Sequence, residues 1–452
     1  MPETQSATES LAAFVAGTDF GALPPTVIAS TKQRVLDTIG VALAGSTAPG
    51  CDAARTTILT EGATGTSTIW ASGERAGSRG AAFVNGMHAA ALDYDSVYER
   101  GSVHPDIVTV PAAWSVAEQV GADGKSFLAA VALGNEVACR FGAANLENKG
   151  WFYTAAHGVF GAAAAAAKLL GLDSDGITNT LGLALSRAGG SQQALLEKSL
   201  AKRAQSGFAA EAGVFAAQLA AAGISGPKQA VEGKFGYHTL YSEGDPTVLV
   251  QDLGTHYESL ATAIKKYPSC TANHVPIDLL IDLANSNDWM NRDIERVEVA
   301  LSPFANQLVG GTFNPMENPQ VSAQFSIHYS AASALLRRRL GIAEIQDDAV
   351  LESRIAEFIG KVDVKVDDLN SGKFAPASVS VTTTAGTTLE AQLENVPGTL
   401  ANPLSDEQIA AKFRDCAAFG LQPREPAEAD ALAATLSAME KRDDLEGLLT
   451  RS

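Results

Sequence analysis

The sequence predicts a mainly α protein in which a large all-helical domain is joined to a smaller α+β domain. Three observations carry that expectation. From residue 5 to about 260 an Ala-, Leu- and Gly-rich stretch repeats its apolar residues at helical spacing. Beyond about residue 290, four segments alternate apolar and polar positions as half-buried strands do. At PLSDEQIAAKF, from residue 403, the helical pattern returns. The expected boundaries are 1–265 with 400–452 for the all-helical domain and 266–399 for the α+β domain.

In chain order, segments 24–45, 79–93, 106–121, 124–143, 155–171, 174–189 and 203–222 read as helices. The alanine run of GVFGAAAAAAKLLGL combines high helix propensity with the small profile that lets helices approach closely. GTSTIW (65–70), rich in β-branched residues, breaks the pattern as a short strand or extended loop. A helix is expected at about 275–285. Segments 296–302, 360–368, 377–384 and 387–394 read as strands, the last two flanking a hairpin turn at Ala385-Gly386. Helices at 327–340 and 347–360 complete the smaller domain, and the final helical stretch has Ser405 and Gln408 at capping-box spacing.

Composition narrows the function classes. The chain is 46% hydrophobic and 19% charged, enough to bury sizeable cores. A formal charge of −18, from 33 basic and 51 acidic residues, repels nucleic acid and anionic membranes, so neither is an expected partner. The start MPETQSATES lacks the basic and apolar runs of a secretion signal, which points to a cytoplasmic protein. The four cysteines are scattered, with no CxxC pair, and are expected as free thiols.

Four stretches gather chemistry-bearing residues. LDYDSVYERGSVHP places Asp93, Asp95 and His104 on one loop, where a carboxylate could orient an imidazole base; the plain alternative is a helix cap and a surface histidine. GWFYTAAHGVFGAA sets Tyr153, Thr154 and His157 at a helix start, a place that suits an anion, though Gly158 and Gly161 equally suit close helix packing. EKSLAKRAQSGFAAEAG carries Lys198, Lys202 and Arg203, ordinarily a solvated face, but Lys202 adjoins a run of small residues that includes Gln205. KKYPSCTANH offers Cys270 and His274 as two metal ligands without partners, or as a thiol and its base. Its lysines fit proton transfer better: one of Lys265 and Lys266 as base, the other holding a carboxylate. No metal site is expected.

These stretches, in this order, resemble the MmgE/PrpD family. FVNGMHAAALDYDS is similar to its helix ending in Asp-x-Asp, SVHPDIVTVPAAWSVAE to its His-Pro helix start, and GWFYTAAHGVFGAAAAAAKLLGL to its Gly/Ala helix. LAKRAQSGFAAEAG, KKYPSCTANHVPID and PLSDEQIAAKF resemble its lysine segment, its Lys-x-aromatic-Pro motif and its C-terminal signature. The resemblance implies a helical domain built from both chain ends, a smaller α+β domain, a cleft between them and a homodimer without cofactor. It also implies Asp93, His104, Lys202 and Lys265 as cleft residues with Tyr153, His157 and Cys270 as further proton-handling groups. Thr154, Gln205, Lys266, His274, Gln324 and Ser326 are then substrate-binding candidates.

The implied activity is that of a dehydratase-type lyase which takes a proton next to a carboxylate of a small di- or tricarboxylate. The alternatives are epimerisation of an iminodisuccinate-type acid, decarboxylation of a cis-aconitate-type acid, or an inactive binding or scaffold homologue. The chain departs from the family at Phe152, Gln205 and Cys270, where histidines are frequent in dehydratase- or decarboxylase-like members.

Overall fold

The computed structural model describes residues 5–62, 65–287, 289–316 and 318–450. Its first helix, α1 (Ala7–Gly17), is fixed by a reciprocal cap: Ser6 Oγ accepts from Glu9 N at 3.1 Å, and the Glu9 carboxylate accepts from Ser6 N at 3.0 Å. Next come α2 (Pro25–Gly45), α3 (Cys51–Thr60) and α4 (Ser78–Ala89). Between α3 and α4, residues of GTSTIW form only a two-residue strand, β1 (Ser67–Thr68), paired with β2 (Arg75–Ala76).

Helix α4 stops at Ala89 with Ala90 as a right-handed cap, four residues before the expected end, and Asp93 in the left-handed region at φ 51° keeps the helix from reaching that end. A second short pair, β3 (Val97–Tyr98) and β4 (Thr262–Ala263), brings two distant parts of the chain together. Then α5 (Asp106–Val120), α6 (Gly124–Ala144), α7 (Tyr153–Leu169), α8 (Ser174–Leu185) and α9 (Ala201–Ala221) form the body of the larger unit. Helix α8 ends four residues short of the expected 189, ahead of Gly189-Gly190, where Gly190 takes φ +108°.

Small residues set how closely these helices pack. A Cβ on Gly134 of α6 would stand 2.6 Å from the carbonyl oxygen of Gly161 on α7, and one on Gly213 of α9 only 2.5 Å from Ala162 Cβ. Glycine at these crossings therefore admits backbone-to-backbone approach that alanine would forbid. Helix α6 is long and apolar enough to cross a membrane, but its apolar window is wholly buried in the core.

Two compact units result. The larger holds the chain up to Ala91, Asp95–Ala263 and Glu407 onward; the smaller holds Leu92–Tyr94 and Ile264–Asp406. The smaller is built on α10 (His274–Asn287), α11 (Ile327–Arg337), α12 (Ser353–Ile359) and a sheet ordered β6-β5-β7-β8. Its strands are β5 (Ile294–Leu301), β6 (Val362–Val366), β7 (Ala377–Thr383) and β8 (Thr388–Leu393). β5 runs parallel to β6 and antiparallel to β7, in register Val299↔Val364 and Val299↔Val379. The odd positions of β7 (Ala377, Val379, Val381) are buried in strict alternation, and α10 packs on this strand. The expected single helix at 347–360 is instead a short turn, Asp347–Val350, followed by α12.

Helices α13 (Asp406–Ala417) and α14 (Pro426–Ser437) return to the larger unit. Lys412 of α13 meets Asp37 of α2 at 2.6 Å, both buried. Burial nevertheless pushes the Asp37 carboxyl up to about 6, outweighing the pull of Lys412.

Candidate active site

The loop after Asp95 is fixed by a chain of buried polar contacts within the larger unit. Ser96 Oγ donates to Asp106 Oδ2 at 2.5 Å, and Asn135 donates to Asp106 Oδ1 at 2.6 Å. Arg34 approaches the same carboxylate at 3.4 Å. Each of these groups would be costly if left unpaired in the interior, so together they hold one loop conformation. The loop folds back on itself through Tyr98 N–H donating to Val103 O at 2.7 Å and Val103 N–H returning to Tyr98 O at 3.2 Å. Gly101 permits the turn to lie against Gly142, whose Cα would be 2.5 Å from any added Cβ.

The consequence is that His104 comes back to Asp95. Its Nδ1 lies 2.7 Å from Asp95 Oδ2, and its backbone N–H donates to Thr154 Oγ1 at 3.1 Å. Asp95 is buried, whereas the His104 side chain keeps 17% of its surface exposed. Nδ1 makes no aligned hydrogen bond, so the carboxylate acts on the ring through its nearness and charge, leaving Nε2 to take or give a proton. Of the two carboxylates on this loop, Asp95 meets the imidazole and Asp93 does not. The spacing alone would set both carboxylates on one side of an extended segment; the left-handed backbone at Asp93 is what separates them.

Asp93 turns instead to Lys265, its companion in the smaller unit. Lys265 Nζ donates to Asp93 Oδ2 at 2.9 Å and to Asp93 O at 2.8 Å, with both side chains buried. The left-handed conformation of Asp93 presents its own carbonyl and carboxylate to one ammonium. Such a conformation costs energy that the ion pair offsets. Next to it, Tyr94 OH donates to Lys266 O at 3.1 Å.

The rest of KKYPSCTANH is a braced turn. Lys266 pairs with Asp278 at 2.6 Å and Tyr267 OH donates to the same carboxylate, so Lys266 is committed to a structural partner. Burial, followed by the negative charge of Asp278, raises the Tyr267 phenol far above its ordinary value. Cys270 N–H donates to Gln324 O at 2.9 Å, and Ser269 Oγ to the same oxygen at 3.0 Å. His274 is fully buried, with Nε2 3.2 Å from Ser269 O and its ring edge-on to Tyr267. Ser326 caps α11 by accepting from Tyr329 N at 3.2 Å, and Gln324 is 2% exposed. His274 and the Gln324 carbonyl thus hold the turn that carries Lys265, Ser326 serves only as the cap of α11, and Cys270 lies almost wholly covered within the turn.

Tyr153 and His157 are placed in the helical core. Tyr153 OH donates to Glu147 O at 2.7 Å, and His157 stacks on the Tyr153 ring with Tyr237 edge-on and Phe141 alongside. His157 is fully buried and neither ring nitrogen has a hydrogen-bond partner. Desolvation, with a minor repulsion from His238, pulls it down to about 3. A neutral, dry imidazole is a poor proton carrier at neutral pH, so its place is packing. Thr154 contributes through the His104 backbone. Lys202 stands partly exposed in the first turn of α9, and Gln205 lies one turn further, accepting from Ser191 N at 2.5 Å.

Two family models match the chain: the MmgE/PrpD N-terminal domain over residues 9–249 and the MmgE/PrpD C-terminal domain over residues 267–437. Among curated proteins, the chain is 27% identical over 432 residues to cis-aconitate decarboxylase of Homo sapiens, covering 91% of this chain and 87% of that protein. It is 27% identical to a cis-aconitate decarboxylase-like protein of Aspergillus oryzae, with 87% of each chain covered. It is 25% identical to cis-aconitate decarboxylase of Aspergillus terreus, over 87% of this chain and 86% of that one.

Proposed function

The chain belongs to the MmgE/PrpD family, and from that premise we propose that it is a lyase acting on a small tricarboxylate at a carbon next to a carboxylate. The observation that carries the reading is the partly exposed His104 imidazole set 2.7 Å from the buried Asp95 carboxylate in the larger unit; the smaller unit holds its own buried ammonium, Lys265, on Asp93. A lyase of this kind must hold negative charge that builds on a carboxylate-stabilised carbon and must move one proton. Within the larger unit, Lys202 is suited to the first task as an ammonium for a substrate carboxylate, and His104, with its Nδ1 2.7 Å from Asp95, to the second. Lys265, fixed by Asp93, is the smaller unit's candidate.

Decarboxylation is the first of two routes, favoured by the names of the relatives at 25–27% identity. In it the bond to one carboxylate breaks, carbon dioxide leaves, the electron pair spreads into the remaining unsaturated acid, and His104 in its protonated form delivers a proton to carbon. In the dehydration expected from the sequence, His104 takes the α-proton as a base and a hydroxyl leaves as water. Cys270, Phe152 and Gln205 occupy positions where the resemblance leads one to look for histidines, so no second imidazole is assigned to either route.

The purified protein incubated with cis-aconitate, and separately with a 2-hydroxy tricarboxylate, should release carbon dioxide from the first or form a new alkene from the second by proton NMR. If neither acid is consumed and no solvent deuterium enters either one, the lyase reading is wrong.

A further inference from the structure

Arg187 is not used by the mechanism above, nor does the sequence reading single it out. It lies on the segment after α8, exposed, and its guanidinium has no ion pair or hydrogen bond among the described residues. In a chain carrying −18, an arginine without a carboxylate partner is uncommon enough to ask what it faces. It lines a pocket of about 250 Å³ in the larger unit together with Ser186, Gly189, Gly190, Gln205 and Ala155.

The wall of this pocket contains no acidic residue. Its polar side chains are Arg187, Ser186 and Gln205. Neither Gly189 nor Gly190 gives its N–H to an internal acceptor among the described residues. The Gln205 amide is oriented by the Ser191 N–H bonded to its Oε1, which leaves Nε2 on the other side, buried and without a partner. Apolar surface from alanines of α7 and α9 closes the back. Gly189 has open space around its missing Cβ, so the mouth is wide enough for a charged group to enter.

The pocket also adjoins residues already given roles. Ala155 follows Thr154, which accepts the His104 backbone N–H, and Gln205 is one helical turn from Lys202. We propose that the Arg187 pocket binds a carboxylate of the substrate remote from the reacting carbon, and so selects a tricarboxylate over a dicarboxylate. The proposal rests on the lyase reading for the identity of the ligand. Arginine suits the task because its planar fork takes both oxygens of one carboxylate, which a lysine cannot do.

The test is isothermal titration calorimetry of the whole protein with propane-1,2,3-tricarboxylate and with glutarate, alongside turnover of cis-aconitate. Arg187→Met should weaken tricarboxylate binding at least tenfold and raise KM to match, with kcat within twofold of wild type. Arg187→Lys should recover part of the loss, and glutarate binding should change less than threefold. Gly189→Asp, at an open and unstrained position, should weaken tricarboxylate binding as much as Arg187→Met by placing a carboxylate at the mouth. Tricarboxylate binding within twofold of wild type in both Arg187→Met and Gly189→Asp would overturn the pocket assignment, as would a wild type that binds no polycarboxylate. A wild type that binds tricarboxylate in an Arg187-dependent way but turns over neither test acid would sink only the lyase reading.

Discussion

Asp93 and Asp95 are separated by one tyrosine, yet each holds a different partner: Lys265 at 2.9 Å and His104 at 2.7 Å. The division follows from backbone conformation, since Asp93 is left-handed and the chain does not continue as a helix past Ala89. If Asp95 acts on the His104 ring through its nearness and charge, Asp95→Asn should lower kcat by roughly 10²- to 10⁴-fold, the range seen when an orienting carboxylate is made neutral elsewhere. Steady-state kinetics should show KM nearly unchanged and the double variant with His104→Gln no slower than His104→Gln alone. A fully multiplicative loss in the double variant would mean that the two residues act separately. Much at this scale was legible: the loop's carboxylates and histidine, and the lysine before the proline turn. The pairing was not, because spacing says which residues share a loop but not which side each faces. Cys270 and His274 looked chemical only because a sequence does not display the hydrogen bonds to Ser269 and Gln324 that make the turn rigid.

At the scale of elements, α7 shows how one run of residues serves two ends. Its first turn holds Thr154 for the His104 backbone, while one turn later His157 is sunk among Tyr153, Tyr237 and Phe141. The folded-state value of about 3 lies below the ordinary 6.5. Stability from keeping this ring neutral is therefore fully present above about pH 6.5 and lost as pH falls toward 3. His157→Phe removes that liability. Urea unfolding at pH 7, 6 and 5 should show the variant gaining on wild type as pH falls, with a slope approaching about 1.4 kcal/mol per pH unit. Parallel pH profiles would show that His157 is not held neutral. Long helices were legible from their period, as was the alternation of β7. The α1 helix lies outside the expected helices although Ser6 and Glu9 spell its cap, and the helical pattern after α4 and α8 runs on although both helices stop four residues earlier, ahead of left-handed Asp93 and Gly190.

Across the whole molecule, an excess of acidic charge coexists with a proposed anionic substrate, so the proposed binding rests on local groups of the larger unit, Lys202, His104 and Arg187. The family and its mainly α character with a smaller α+β part could be read from six motifs and two periodicities. Long-range pairing could not. Nothing in the pattern tells that β5 lies between β6 and β7, that Lys412 meets Asp37, or that Leu92–Tyr94 cluster with the segment beginning at Ile264. Each of these depends on contacts between residues far apart in the chain, where many pairings satisfy the same local preferences.

The central claim is that His104, poised by Asp95, moves the proton that completes bond cleavage in a tricarboxylate. It is tested most directly by following cis-aconitate in deuterated water by NMR with wild type and His104→Gln at equal concentration. Wild type is expected to form a product carrying solvent deuterium at carbon, and His104→Gln to form it at least a hundredfold more slowly while still binding the acid. Product appearing at the wild-type rate from His104→Gln would contradict the account.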